Sequence, residues 1–229
     1  MLQPIDTNIW HAVHSFTANG LPITTRMTVV RLPDRKLFVH SPIPLDDETR
    51  LQLDALGRVA FIVAPNLFHH LFLGLFSDAY PEALVYGPAG LRKKRPDLQA
   101  LRDLPTGENQ EWEPDLEHLT FEGIPAGRES IWFHRPTGTL IVTDLVQWWQ
   151  GKLRWTTQAY AILTGVRHKP AVPLTVRALV RDKQAAARSA ERLLQWPISR
   201  IVVAHNTIIE TNAYAQITHA LRVFAAPLR

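Results

Sequence analysis

Three stretches of the 229-residue chain end in side chains that bind metals or move protons. The apolar run Val59-Ala60-Phe61-Ile62-Val63-Ala64 leads into Pro65-Asn66-Leu67-Phe68-His69-His70. Leu140-Ile141-Val142-Thr143 leads into Asp144, and Ile201-Val202-Val203-Ala204 leads into His205. In α/β sheets, ligands gather beyond the carboxyl ends of strands. If these three ends meet, His69, His70, His205 and Asp144 surround one point. Such a nitrogen and oxygen set suits zinc or iron. The chain has no cysteine, which excludes thiolate sites, cysteine nucleophiles and disulfides. Each residue also has a plainer reading. His69-His70 can be a polar pair opening a helix, Asp144 a helix N-cap, and His205 a hydrogen-bonded structural histidine. The three loops lie too far apart in sequence to form a local motif.

The elements that must position these loops are legible from pattern. Ile23 to Leu32 reads as a strand, Pro33 to Lys36 as a turn and Leu37 to Ser41 as the returning strand. Asp46 and Asp47 cap a helix carrying Leu51, Leu53 and Leu56, which Gly57 ends. The run from Val59 to Ala64 is continuously apolar, as in a strand buried on both faces. A helical stretch follows from about His69 toward Tyr80, then a short strand from Ala83 to Tyr86. Leu116–Glu122, Ser130–Arg135 and Thr139–Thr143 form a meander, with Pro136-Thr137-Gly138 turning between the last two. Asp182 to Trp196 reads as a helix with Ala186, Ala190, Leu193 and Leu194 on its apolar face. Arg200–Ala204 is a further strand, and a last helix starts near Thr211.

Composition sets the outer limits. Hydrophobic residues make up 46%, enough for a core, and the net charge is +4. Lys and Arg are scattered, and the densest knot, Arg92-Lys93-Lys94-Arg95, reads as a solvated helix end rather than a nucleic-acid surface. The N-terminus shows no signal-peptide pattern and no apolar run is long enough to span a bilayer. The expectation is a cytoplasmic protein with a small-molecule partner, and with neither a nucleic-acid nor a membrane partner.

The order of the pieces resembles the metallo-β-lactamase superfamily over most of the chain. The resemblance is carried by the hairpin, the apolar strand, the His-bearing loop, the meander ending in Asp and the late strand ending in His. The chain is most similar to an uncharacterised branch, a domain of unknown function, through the strand Met27 to Leu32, Leu37-Phe38-Val39-His40-Ser41-Pro42, Ser130-Ile131-Trp132-Phe133-His134 and Thr139 to Asp144. The resemblance implies one α/β (α+β) domain over residues 1–229, a four-layer αββα sandwich.

The resemblance also implies a reduced metal site. The superfamily signature H-x-H-x-D-H, set with its last two positions on His69 and His70, puts Pro65 and Leu67 where the first metal's histidines stand. Arg128, in Ala126-Gly127-Arg128, takes the place of a third. The bridging Asp falls on Asp144 and the late His on His205. One divalent ion, zinc or else iron, would then be held by His69, His70, Asp144 and His205. Three neutral imidazoles and one carboxylate leave it a unit of positive charge, which favours an anionic ligand or hydroxide. Asp144, by orienting water, and Arg128, by gripping a carboxylate or phosphate, are the residues assigned to catalysis. His40 reads either as an outer hydrogen-bond donor to the site or as a packed strand-end residue. Trp148-Trp149 reads as core or as a pocket wall. The function implied is a metal-dependent hydrolase of a small ester-like or anionic substrate. The alternative is a non-catalytic member of the fold that binds a small molecule or a protein.

Overall fold

The computed structural model describes residues 1–18, 20–105 and 110–225. The chain folds as two compact units, Met1–His14 with Arg26–Asp115, and Ser15–Thr25 with Leu116–Arg229. Among the described residues there are two β-sheets and seven α-helices.

The first unit carries most of a seven-stranded sheet, ordered as in sequence: β1 (Gln3–Asp6), β2 (Ile9–Ala18), β3 (Leu21–Arg31), β4 (Lys36–His40), β5 (Arg58–Val63), β6 (Leu84–Gly87) and β7 (Leu101–Asp103). The expected hairpin is β3 against β4, antiparallel, with Val29 opposite Val39. From β4 onward the pairing is parallel. Parallel strands need crossovers, here supplied by α1 (Asp47–Leu56), α2 (Leu73–Ala79) and α3 (Leu91–Lys94). That explains the unbroken apolar character of β5, of which only Arg58 is exposed. Asp46 caps α1 by accepting a 2.7 Å hydrogen bond from the Thr49 N–H. Leu53 is fully buried but Leu51 is 71% exposed, because two residues turn a helix by about 200° and cannot share its inner face. The helix expected from His69 begins only at Leu73. The residues before it are held as a turn by Asn66, whose side chain accepts from the Phe68 and His69 N–H groups at 2.8 Å each. The core of this unit includes Met27, Val29, Leu37, Val39, Leu53, Ile62, Leu73, Phe76 and Val85.

The second unit contains a five-stranded sheet, ordered β12-β11-β10-β9-β8. β8 (Leu116–Thr120), β9 (Ser130–His134) and β10 (Thr139–Val142) form the antiparallel meander. Gly138, at φ +61, makes its second turn. β11 (Arg200–Val203) pairs parallel to β10, with Leu140 opposite Ile201. The crossover between them contains α4 (Trp155–Leu163), α5 (Leu174–Ala178) and α6 (Lys183–Leu193). α6 is capped by Asp182, which accepts from the Ala185 N–H at 2.9 Å, and buries Ala186, Ala190 and Leu193 as its spacing dictates. β12 (Ile208–Ile209) and α7 (Ala213–Leu221) complete the unit. Leu140, Ile201, Val203, Ile217 and Phe133 lie in one core. Neither α4 nor α5 is foreshadowed by a strong pattern; α4 buries only Thr157 and Ala161.

Candidate metal centre

Asp144 and His205 follow directly on two neighbouring parallel strands, β10 and β11, so the sheet brings them together. Asp144 Oδ1 lies 3.2 Å from His205 Nε2. The other ring nitrogen of His205, Nδ1, donates to the carbonyl of Thr24 at 2.6 Å. A carbonyl can only accept, so this bond fixes the ring and aims Nε2 at the carboxylate. Histidines that ligate metals are held in the same manner, through the nitrogen the metal does not use. Burial by itself lowers the basicity of His205. The hydrogen bond and charge of Asp144 outweigh it, with help from the Thr24 carbonyl, so the ring's pKa is raised above its ordinary value. The indole of Trp149 stacks on the imidazole, centroids 5.5 Å apart and planes within 13°. Trp149 is therefore both core and wall, and its Nε1 donates to Gln147 Oε1 at 3.0 Å.

Asp144 has a support that the sequence reading missed. Glu129 is buried, and its carboxylate accepts three backbone N–H groups in a row: Thr143 at 2.7 Å, Asp144 at 3.0 Å and Leu145 at 2.9 Å. One carboxylate thus ties down the whole turn on which Asp144 stands. Burial, and then the charge of Asp144, push the Glu129 carboxyl up to about 7 against the pull of those N–H bonds. The sequence signal was an acidic residue directly before the apolar strand β9, where a solvated loop end is the ordinary reading. Gln147 adds a 3.4 Å contact from its Nε2 to Asp144 Oδ1. Asn206, at φ +68, ties the loop after His205 to Gln150 through its side chain.

His69 is half-buried in the first unit. Its N–H is fixed by Asn66 and its Nδ1 sits 2.9 Å from Ser41 Oγ. Ser41 itself has φ +53, a left-handed backbone that turns the chain sharply after β4. The neighbouring His70 has different surroundings. Burial, then the charges of Lys94 and Arg95, lower its pKa, and Arg95 donates to its carbonyl at 2.7 Å. His40, the last residue of β4, is buried, and among the described residues neither of its ring nitrogens has a hydrogen-bond partner. Burial, then His69, push it down to about 3, so it stands neutral at the strand end. Arg128 lies on an exposed turn at φ +48.

Nitrogen from imidazole and oxygen from carboxylate, with ring orientations set by hydrogen bonds, fit a borderline divalent ion such as zinc or iron(II). The structure resembles solved metallo-β-lactamase-fold proteins along its length. A metallo-β-lactamase from Pontibacter korlensis shares 12% identity at a TM-score of 0.63, covering 98% of each chain. One from Hirschia baltica shares 9% at 0.64, covering 100% of this chain and 99% of that one. A metal-soaked flavodiiron core from Synechocystis shares 10% at 0.65, covering 98% of this chain and 60% of that one. The chain therefore has the metallo-β-lactamase fold, a mixed α/β architecture. A search of curated proteins finds no sequence match. A family model covers residues 7–150, more than half of the chain and all of the loops bearing His69, Glu129 and Asp144, and the protein belongs to that family, the domain of unknown function DUF4336.

Proposed function

We propose that the protein is a metal-dependent hydrolase that uses a single divalent ion, held by His69, Asp144 and His205. The observation that carries the reading is the fixed pair of Asp144 and His205, with Nδ1 of His205 committed to Thr24. The His69 ring is also held through Nδ1, which shares a 2.9 Å hydrogen bond with the Ser41 hydroxyl. His70 is left out of the set, because burial, then the charges of Lys94 and Arg95, oppose a further positive charge there. Three protein donors rather than four leave one position open, which distinguishes catalytic from structural zinc sites. A divalent ion held there would act as a Lewis acid at neutral pH.

The remaining roles belong to the chain's own residues. Asp144 orients water, Glu129 keeps the Asp144 turn from shifting, and Trp149 shields one side of His205 from solvent. Pro65 and Leu67 offer no donor for a second ion. The positive charge left on one ion favours an anionic or ester-like substrate, and Arg128, on its exposed turn, would meet the substrate's acidic group. The test is a panel of chromogenic carboxylic esters, phosphodiesters and lactones. Hydrolysis of at least one should vanish with a chelator and return with zinc or iron(II). No chelator-sensitive hydrolysis across the panel, by protein holding its ion, would favour the non-catalytic reading.

A further inference from the structure

From Leu145 to Arg181 the chain contains no Asp or Glu. It contains six fixed cations, Lys152, Arg154, Arg167, Lys169, Arg177 and Arg181, more than the net +4 of the entire protein. The same segment carries the most exposed large apolar side chains of the second unit. Trp155 is 80% exposed, Leu163 74%, Ile162 52% and Leu174 48%. The first three, with Ala159, stand at i, i+4, i+7 and i+8 on α4, which places them along one stripe. The opposite face of α4 is committed inward. Thr157 Oγ1 donates to the Pro22 carbonyl at 2.6 Å, and Tyr160 OH donates to Gln147 at 3.3 Å. The helix is thus fixed with its apolar stripe outward, Lys152 and Arg154 before it and Arg167 and Lys169 after it.

We infer that α4 and its basic flanks dock on an anionic phospholipid surface. An exposed tryptophan and aliphatic stripe seats among headgroups and upper acyl chains, while flanking cations meet lipid phosphates. Charge selects this occupant. A second copy of the chain would set the same cations against one another. Nucleic acid would match the cations but leave Ile162 and Leu163 without an apolar partner. Among the described residues no helix is long and apolar enough to cross a membrane, but a nine-residue helix would lie along the interface instead of crossing it. The inference does not depend on the metal reading.

The test is co-sedimentation of the whole protein with vesicles of phosphatidylcholine alone, or with one-third phosphatidylglycerol. Protein should pellet with the anionic vesicles only, and less as salt rises. Trp155→Ser with Leu163→Ser, and separately Lys152→Glu with Arg154→Glu, should each lower partitioning at least about tenfold. Both variants change exposed residues, so their thermal unfolding should match the parent. Absence of pelleting with anionic vesicles, or equal pelleting with neutral ones, overturns the inference. So does a concentration-dependent dimer that Trp155→Ser with Leu163→Ser breaks, which would assign the stripe to a second copy.

Discussion

Replacing Glu129 tests whether one buried carboxylate holds the turn that presents Asp144. In Glu129→Gln the amide oxygen can keep two of the three N–H bonds, those from Asp144 and Leu145 on Oε2. The amide nitrogen then faces the Thr143 N–H, a donor against a donor. Losing that bond and leaving a buried N–H unsatisfied costs about 1–3 kcal/mol. Removing the like charge beside Asp144 returns part of this, for a net loss of about 1–2 kcal/mol. Glu129→Ala strands all three N–H groups and should cost more, about 3–6 kcal/mol. Urea unfolding of metal-free protein near neutral pH reads both values. Zinc affinity supplies a readout that stability does not move, and Glu129→Gln should weaken it roughly 10- to 100-fold, the usual effect of losing an outer support of a ligand. Glu129→Ala within about 1 kcal/mol of the parent, with unchanged zinc affinity, would refute the argument.

Three further outcomes follow from the packing and charge. Asp46→Ala removes the cap of α1 and should cost about 1 kcal/mol by urea unfolding. Because the bond to Thr49 lowers the Asp46 carboxyl below its ordinary 3.8, the stabilisation is present above about pH 4 and fades as acid protonates it; a loss that does not shrink in acid would contradict the cap. Gly123→Ala should destabilise by at least about 2 kcal/mol, since φ is +84 and an added Cβ would stand 2.3 Å from the Asp182 carbonyl; a neutral result in thermal unfolding would show that the turn yields. His118, stacked on Trp132, is pushed down to about 4 by burial. A histidine kept neutral in the fold supports stability above about 6.5 and loses that support as pH falls toward 4. His118→Phe should therefore flatten the stability profile across that window, and an unchanged slope there would count against it.

The strands were legible because burial on both faces writes itself as continuous apolar sequence. Ile62, Val63, Leu140, Ile141, Ile201, Val202 and Val203, expected as core strand residues, are all buried in strands of the two sheets. Asp46 announced its helix because a cap needs a short acceptor side chain at one fixed position; Asp182 caps the later helix in the same way. The site was legible only in part. That Asp144 and His205 are neighbours follows from strands β10 and β11 lying side by side, which no local spacing encodes. Glu129 lies 15 residues before Asp144 and looks like an ordinary loop acid until the fold wraps three N–H groups around it. The helix after His70 starts late because Asn66 offers the backbone an alternative to helical bonding. The α4 stripe was missed because the helix itself has no strong pattern in the sequence, burying only Thr157 and Ala161.

The central claim, one divalent ion held by His69, Asp144 and His205, is tested most directly by metal content and affinity together. Untagged protein, purified without added metal, should contain about one zinc or iron per chain by elemental analysis. His205→Ala and His69→Ala should each lose that ion while keeping the parent's circular dichroism, and His70→Ala should keep it. Two tightly held ions per chain, or a metal content unchanged in His205→Ala, would contradict the account.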